Sequence, residues 1–450
     1  MRLWIRNPLA ILAAQADGGL VVDDGRIVEL VPSGAQPATP VDRLFDAGAH
    51  VVLPGLVNMH HHFYQTLTRA CPPALDKPLF PWLQTLYPIW AGLSAAQLRV
   101  ASRLALVELL RSGCTTVSDH HYLFPAGLEE AIDIQVEEVR ALGMRAVLTR
   151  GSMSLSQDEG GLPPRSVVQS EETILRDSER LLDAYHEAGD GVMIQIALAP
   201  CSPFSVTAGL MRDTAALARR HGARLHTHLA ETADETAYCV ECFGQRPVDY
   251  LESLDWLHDD VWVAHGIHFN DGEIRRLGEA GVGVCHCPAS NMVLASGQCR
   301  VNELEAAGVP VGLGVDGSAS NDASNLVQEV RQAFLLQRLH YGAGKVSHRD
   351  ALRWATEGGA RCLGRTDIGA IAVGRQADLA LFRLDEPQFS GAGDPLAALL
   401  LCGAQRADRV MVAGHWQLVD GEVPGLDLGA LTAEHRAAAQ ELIRNVSASP

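Results

Sequence analysis

The polar and apolar positions change rhythm twice along the chain. Over the first 50 or so residues, short apolar runs alternate with turns: "RLWIRN", "GGLVVDDGRIVELV", "RLFDAGAHVVLPG". Alternation with a period of two reads as half-buried strands, and "DDG" between two such runs is a hairpin signal. The end of the chain returns to the same style in "GAIAVGRQADLALFRL" and "RVMVAGHWQLVDGEV". The two ends are expected to pair as one small β-sandwich domain, with residues 1–52 as its N-terminal part. Residues 367–450 are its C-terminal part plus a terminal helix.

Residues 53–366 read differently. "AAQLRVASRLALVELLRSG" is an amphipathic helix ended by Gly113, and the strand "CTTVSDHH" follows it. The alternation continues: "AIDIQVEEVRALG" into "MRAVLTRG", "SERLLDAYHEAG" into "GVMIQIALAP", "TAALARRHG" into "ARLHTHLAE". It ends with "VDYLESLD" into "VWVAHGIH", "DGEIRRLGEAG" into "VGVCHCP", and "VNELEAAG" into "VPVGLGVDG". With a first strand at 51–57, eight strands alternate with helices, the order of an α/β chain closed into a (β/α)8 TIM-type barrel. An open doubly wound sheet is the alternative, but no Gly-x-Gly-x-x-Gly follows the first strand.

Composition narrows the partners. The 450 residues are 47% hydrophobic and 20% charged, enough for a large core and unlike a disordered chain. A formal net charge of −18 repels nucleic acid and anionic membranes, so a small-molecule partner is expected. No stretch reaches the roughly 18 apolar residues of a membrane span, and no secretory signal is evident. The ten cysteines show no disulfide framework. We expect a cytoplasmic homo-oligomer with reduced thiols.

A barrel gathers its chemistry at the C-terminal ends of its strands. The first strand ends at His60, His61 and His62; the fifth carries His226, His228 and Glu231; the sixth carries His265 and His268; the eighth ends at Asp316. His60 and His62 stand two apart and share a strand face, with His61 on the other. With His228 and Asp316 they form an N3O set that suits Zn2+, with Fe2+ or Mn2+ as alternatives, and leaves one position open for water. A lone histidine is ordinarily a core or surface residue, but here four strand ends agree. His61 and His226 are expected to be structural, turned away by the pleat. His268 either supports the site or begins a helix, and His120 and His121 are rim candidates. Cys285, His286 and Cys287 are expected to form a packed loop rather than a soft metal site. Gln65, one turn past the first ligand pair, offers an amide that suits a lactam edge. Arg150, Ser152 and Trp82 are further pocket candidates.

Together "PGLVNMHHH", "HTHLAE", "AHGIH" and "GVDGSASND" resemble the amidohydrolase superfamily, in its cytosine/guanine deaminase and triazine hydrolase branch, over nearly the whole chain. "NMHHHFYQTLTRA" and "TRGSMSLSQDEGGLPP" are similar to the 8-oxoguanine deaminase group within it. The resemblance implies a metal-dependent aminohydrolase of a heterocyclic base, 8-oxoguanine to urate and ammonia first. Hydroxylated s-triazines, isocytosine or guanine are alternatives, and a non-catalytic scaffold is a distant one. Binuclear members bridge two metals with a carboxylated lysine on the fourth strand; "GVMIQIALAP" has none, so one metal is expected. Asp316 would bind the metal, accept a proton from water and later protonate the departing amine. Glu231 would protonate the ring nitrogen, against the simpler reading of a carboxylate at a helix N-terminus. His265 would hydrogen-bond the attacking oxygen. Cys201 stands where some relatives place a substrate-contacting histidine, which points to a smaller substrate than adenosine.

Overall fold

A computed structural model describes residues 1–447 of the chain, so the last three residues of the 367–450 segment lie outside the described residues. Eight parallel strands close the barrel: β1 (Leu56–Asn58), β2 (Cys114–His121), β3 (Arg145–Ser152), β4 (Ile194–Pro200), β5 (Leu225–Leu229), β6 (Val261–His265), β7 (Gly283–His286) and β8 (Val311–Leu313). Each pairs with the next, and β8 closes on β1 with Leu313 opposite Asn58. Strands such as "RAVLTRGS" are buried along their whole length, as parallel strands covered by helices must be. The helix Ala95–Arg111 shows how local sequence sets the elements. Ser94 and Gln97 form a capping box at its start, and Gly113, at φ +92°, turns the chain into β2.

The small domain is a two-sheet sandwich. Its four-stranded sheet contains Leu3–Arg6, Gly19–Asp23, Arg26–Val31 and Arg43–Asp46. Its five-stranded sheet joins Ala10–Ile11 and His50–Pro54 to Leu379–Arg383, Arg409–Val412 and His415–Leu418, so both chain ends contribute. Ile5, Leu20, Val52, Leu379 and Met411 pack between the sheets. The expected hairpin turns at Asp24-Gly25, both with positive φ, the geometry of a two-residue turn.

One expected strand is two. The apolar run 51–57 splits: His50–Pro54 pairs antiparallel with Leu379–Arg383, and only Leu56–Asn58 enters the barrel. Residue 52 therefore lies inside a sandwich strand rather than at a boundary. Gly55 makes the crossing possible, because a Cβ there would sit 2.1 Å from the Thr115 hydroxyl. The terminal helix Leu428–Ser447 lies against the barrel, where His435 Nε2 is 3.0 Å from Thr66 Oγ1. Among the described residues, no helix is long and apolar enough to cross a membrane. All ten cysteines are free.

Barrel and sandwich are joined by a buried ion pair. The Arg145 guanidinium, at the start of β3, donates through Nε and Nη2 to the Asp378 carboxylate at 2.9 and 3.2 Å, and through Nη1 to the Gly191 and Val192 carbonyls. Asp378 also accepts from the Ala413 amide. Asp378→Ala would strand a buried cation. A loss of about 3–5 kcal/mol is expected in urea unfolding, and an unchanged midpoint would show that the pair does not couple the two parts.

Candidate metal centre

The strand ends converge as the histidine pattern requires. His61–His62 extends β1 and pairs in parallel with Asp316–Gly317, which extends β8, so the two ends of the barrel seam present their side chains together. His60 Nε2 lies 3.3 Å and His62 Nε2 3.2 Å from Asp316 Oδ1. His228 Nε2, from β5, lies 3.3 Å from His62 Nε2. Tetrahedral ligands 2.0–2.1 Å from an ion stand about 3.3 Å apart, so these separations fit one cation.

The hydrogen bonds behind the rings fix their tautomers. A carbonyl can only accept, so His226 Nδ1–H donates to Trp262 O at 2.9 Å and His226 Nε2 becomes an acceptor. His60 Nδ1–H then donates to it at 2.8 Å. His62 Nδ1–H donates to His120 O and His228 Nδ1–H to Cys201 O, at 2.7 and 2.6 Å. All three Nε2 atoms thus aim lone pairs at one point, and buried His60 Nε2 has no hydrogen-bond partner. Burial holds His60 and His228 below the ordinary imidazole range, in the neutral form a metal ligand needs. Burial pushes the Asp316 carboxyl up, but the His60 and His62 imidazoles outweigh it and hold Asp316 well below the usual carboxylate range. Neutral imidazoles and an ionised carboxylate, backed by carbonyls that orient the rings, suit a divalent metal.

Beside this set stand Glu231 and His265. Glu231 Oε2 is 3.5 Å from His265 Nε2, which is 4.0 Å from Asp316 Oδ2. Asn291 Nδ2 lies 3.1 Å from His265 Nδ1, making Nδ1 the acceptor and leaving Nε2–H between the two carboxyls. Burial keeps His265 neutral, its pKa lowered to about 3. Burial, with Asp316 and Glu235 nearby, raises Glu231 well above the carboxylate range. Glu235 holds that turn by accepting from the Ala230 and Glu231 amides at 2.7 and 2.9 Å. Ala230, His265 and Asp316 have φ of +54°, +75° and +62°. Left-handed non-glycine backbone costs about 1–3 kcal/mol per residue and gathers at functional sites.

These side chains open into a cavity at the C-terminal end of the barrel. Gln65 and Cys201 line it, as does Trp82. Arg150 does not: its guanidinium pairs with Asp177 at 2.9 Å and packs over the Phe124 ring. Ser152 is likewise outside; its carbonyl accepts from the Cys201 amide. His226 is not turned away, since it shares a face with His228 and lies one layer deeper in the barrel, orienting His60. His120 is no rim residue. It is fully buried and stacked on His228 with ring centroids 4.7 Å apart, while His121 turns to donate to Leu123 O. His61 lies outside the ligand set, its Nδ1 accepting the His62 amide. His268 Nε2–H donates to Ser296 O and so supports the loop beside Glu231. Cys285, His286 and Cys287 form no loop: Cys285 and His286 end β7 and Cys287 caps the helix Pro288–Val293, all three buried, with the two Sγ atoms 3.7 Å apart.

The sequence reading missed the roof. After His62 the chain makes a 3-10 turn, Phe63–Thr68, and a helix, Leu79–Trp90, that lays Leu79, Leu83 and Tyr87 over the cavity. Pro88 inside that helix and its apolar, aromatic makeup blur the helical period; the run of aromatics was the available signal.

Residues 51–416 match the amidohydrolase family. The chain is 66% identical to the 8-oxoguanine deaminase of Pseudomonas aeruginosa, over 98% of this chain and 99% of that one. It is 38% identical to an isoxanthopterin deaminase from an unknown prokaryotic organism, over 92% and 90% of the two chains. Among solved structures it superposes on atrazine chlorohydrolase from Arthrobacter aurescens TC1 complexed with zinc, with a TM-score of 0.91, 32% identity, and 97% and 100% coverage.

His228→Ala is expected to remove stoichiometric metal. His226→Ala is expected to keep the fold but weaken metal affinity by about 10- to 100-fold, measured by competition with a chromogenic chelator. Unchanged affinity in His226→Ala would contradict its role in orienting His60.

Proposed function

The chain belongs to the amidohydrolase family, and from that premise we propose that it is a mononuclear zinc aminohydrolase converting 8-oxoguanine and water to urate and ammonia. The observation that carries this reading is two buried carboxyls, Glu231 and Asp316, facing one another across His265 at one cavity, the first pushed up by burial and the second held down by its imidazole neighbours. Two carboxyls held in opposite protonation states are an acid and a base. The 66% identity to an 8-oxoguanine deaminase over almost the full chain supports the substrate, and the zinc-complexed structural neighbour supports the metal.

His60, His62, His228 and Asp316 would hold the zinc. Bound there, it supplies Lewis acidity that makes water acidic near neutral pH, where free water has a pKa of about 15.7. Asp316 Oδ2 accepts the proton that water loses as its oxygen adds to the amine-bearing ring carbon. Glu231 protonates the adjacent ring nitrogen, which otherwise could not accept the electron pair. His265 Nε2–H donates to the added oxygen. Asp316 returns its proton to the amine, ammonia departs, and the last hydroxyl proton restores Glu231 as the carbonyl forms.

The cavity suits a flat, neutral base. Gln65 Oε1 accepts from the Ala319 amide at 3.3 Å, which leaves its Nε2–H group to donate to a base carbonyl. Gly317 allows this, since a Cβ there would fall 1.9 Å from Gln65 Oε1. Burial pushes the Cys201 thiol up to about 12, so that wall stays uncharged. A single metal fits a chain whose only lysines, Lys77 and Lys345, lie off the barrel strands.

Ammonia release from zinc-loaded protein should be rapid with 8-oxoguanine and slow with guanine, isocytosine, isoxanthopterin and hydroxyatrazine. Faster release from another member would move the substrate and keep the chemistry. Glu231→Gln should lower kcat by about 10²- to 10⁴-fold with zinc retained; near-normal turnover would remove Glu231 as the acid.

A further inference from the structure

The segment that follows β7 touches all three acid–base groups. Ser290 Oγ–H donates to Asp316 Oδ2 at 2.6 Å, Asn291 Nδ2 meets His265 Nδ1, and Ser296 Oγ lies 3.5 Å from Glu231 Oε1. Ser290 and Asn291 are consecutive and fully buried. Their short helix, Pro288–Val293, is anchored from behind by Glu329, which accepts from the Ala289 amide at 2.9 Å and from Asn321 Nδ2 at 3.0 Å.

The two oxygens of Asp316 face different partners. Oδ1 faces His60 and His62 and accepts the Gly317 amide at 2.7 Å. Oδ2 faces His265 and takes its hydrogen bond from Ser290. Ser290 is held in turn, with Ser320 Oγ, on the cavity wall, 2.9 Å away.

We propose that Ser290 is a positioning residue that keeps Asp316 bound to the metal through Oδ1 alone and reserves Oδ2 for carrying the proton. This rests on the function proposed above. A carboxylate freed of that hydrogen bond can rotate and place both oxygens on the cation, as carboxylate ligands do when nothing holds one oxygen back. Both lone-pair sets would then be engaged, and water would lose its proton acceptor. Asn291 acts in parallel on His265, fixing the tautomer that leaves Nε2–H between Asp316 Oδ2 and Glu231.

The test is cobalt-loaded protein, because Co2+ absorbs visible light with an intensity that falls as coordination number rises. Ser290→Ala should bind cobalt at wild-type stoichiometry yet show weaker, shifted absorption. Its kcat should fall by about 10- to 100-fold with KM within about threefold. Ser290→Thr, which keeps the hydroxyl, should restore the spectrum and most of kcat. Should Ser290→Ala fail to fold by circular dichroism, Ser290→Cys fills the space with a weaker donor and should show the same changes in smaller degree. A wild-type spectrum and kcat in folded Ser290→Ala or Ser290→Cys would overturn the proposal. Wild-type protein inactive on every base would overturn the function instead, and the spectral comparison would still decide how Asp316 is held.

Discussion

The Nε2 lone pairs of His62 and His228, 3.3 Å apart, and that of His60, gathered within 4.8 Å of them, cannot be stable in a buried pocket without a cation or protons between them. The rest of the site answers that constraint. Carbonyls from Trp262, His120 and Cys201 hold the outer ring nitrogens as donors, directly or through His226, so the inner nitrogens stay basic. Asp316 supplies the negative charge that a divalent ion needs. The left-handed backbone at Ala230, His265 and Asp316 marks where three strand ends bend to bring these groups inward.

The same arrangement sets the two carboxyls apart. Glu231 is buried against charge of its own sign and is pushed well above the carboxylate range, while Asp316 sits among imidazoles and is held well below it. A difference that neither residue has in water is created by where the barrel places each. Beneath, Arg145 and Asp378 tie the base of β3 to the sandwich; above, the Leu79–Trp90 helix covers the cavity.

Most of the barrel was legible because each strand after the first is short, largely apolar and preceded by a helix. The convergence of His60, His62, His228 and Asp316 was legible because His60 and His62 share a strand face and because four strand ends carried polar groups at once. Where spacing spoke of one element and the partner was another, the reading failed. The run 51–57 serves two sheets, which only the partner strand at Leu379–Arg383 decides. His226 follows the same alternation as His228, yet its task depends on His60, far away in the chain. Arg150 looked like a pocket residue until Asp177 and Phe124 claimed it. Ser290 and Asn291 carried no motif at all; small polar residues after a strand gain meaning only from the carboxylate and imidazole they meet.

X-ray absorption at the zinc K-edge would test the centre most directly. The nearest scatterers should be nitrogen and oxygen at 2.0–2.1 Å, with the outer-ring signature of three imidazoles. A sulfur at about 2.3 Å would place the metal at Cys285 and Cys287 instead, and a second metal at about 3.5–4 Å would contradict a mononuclear site.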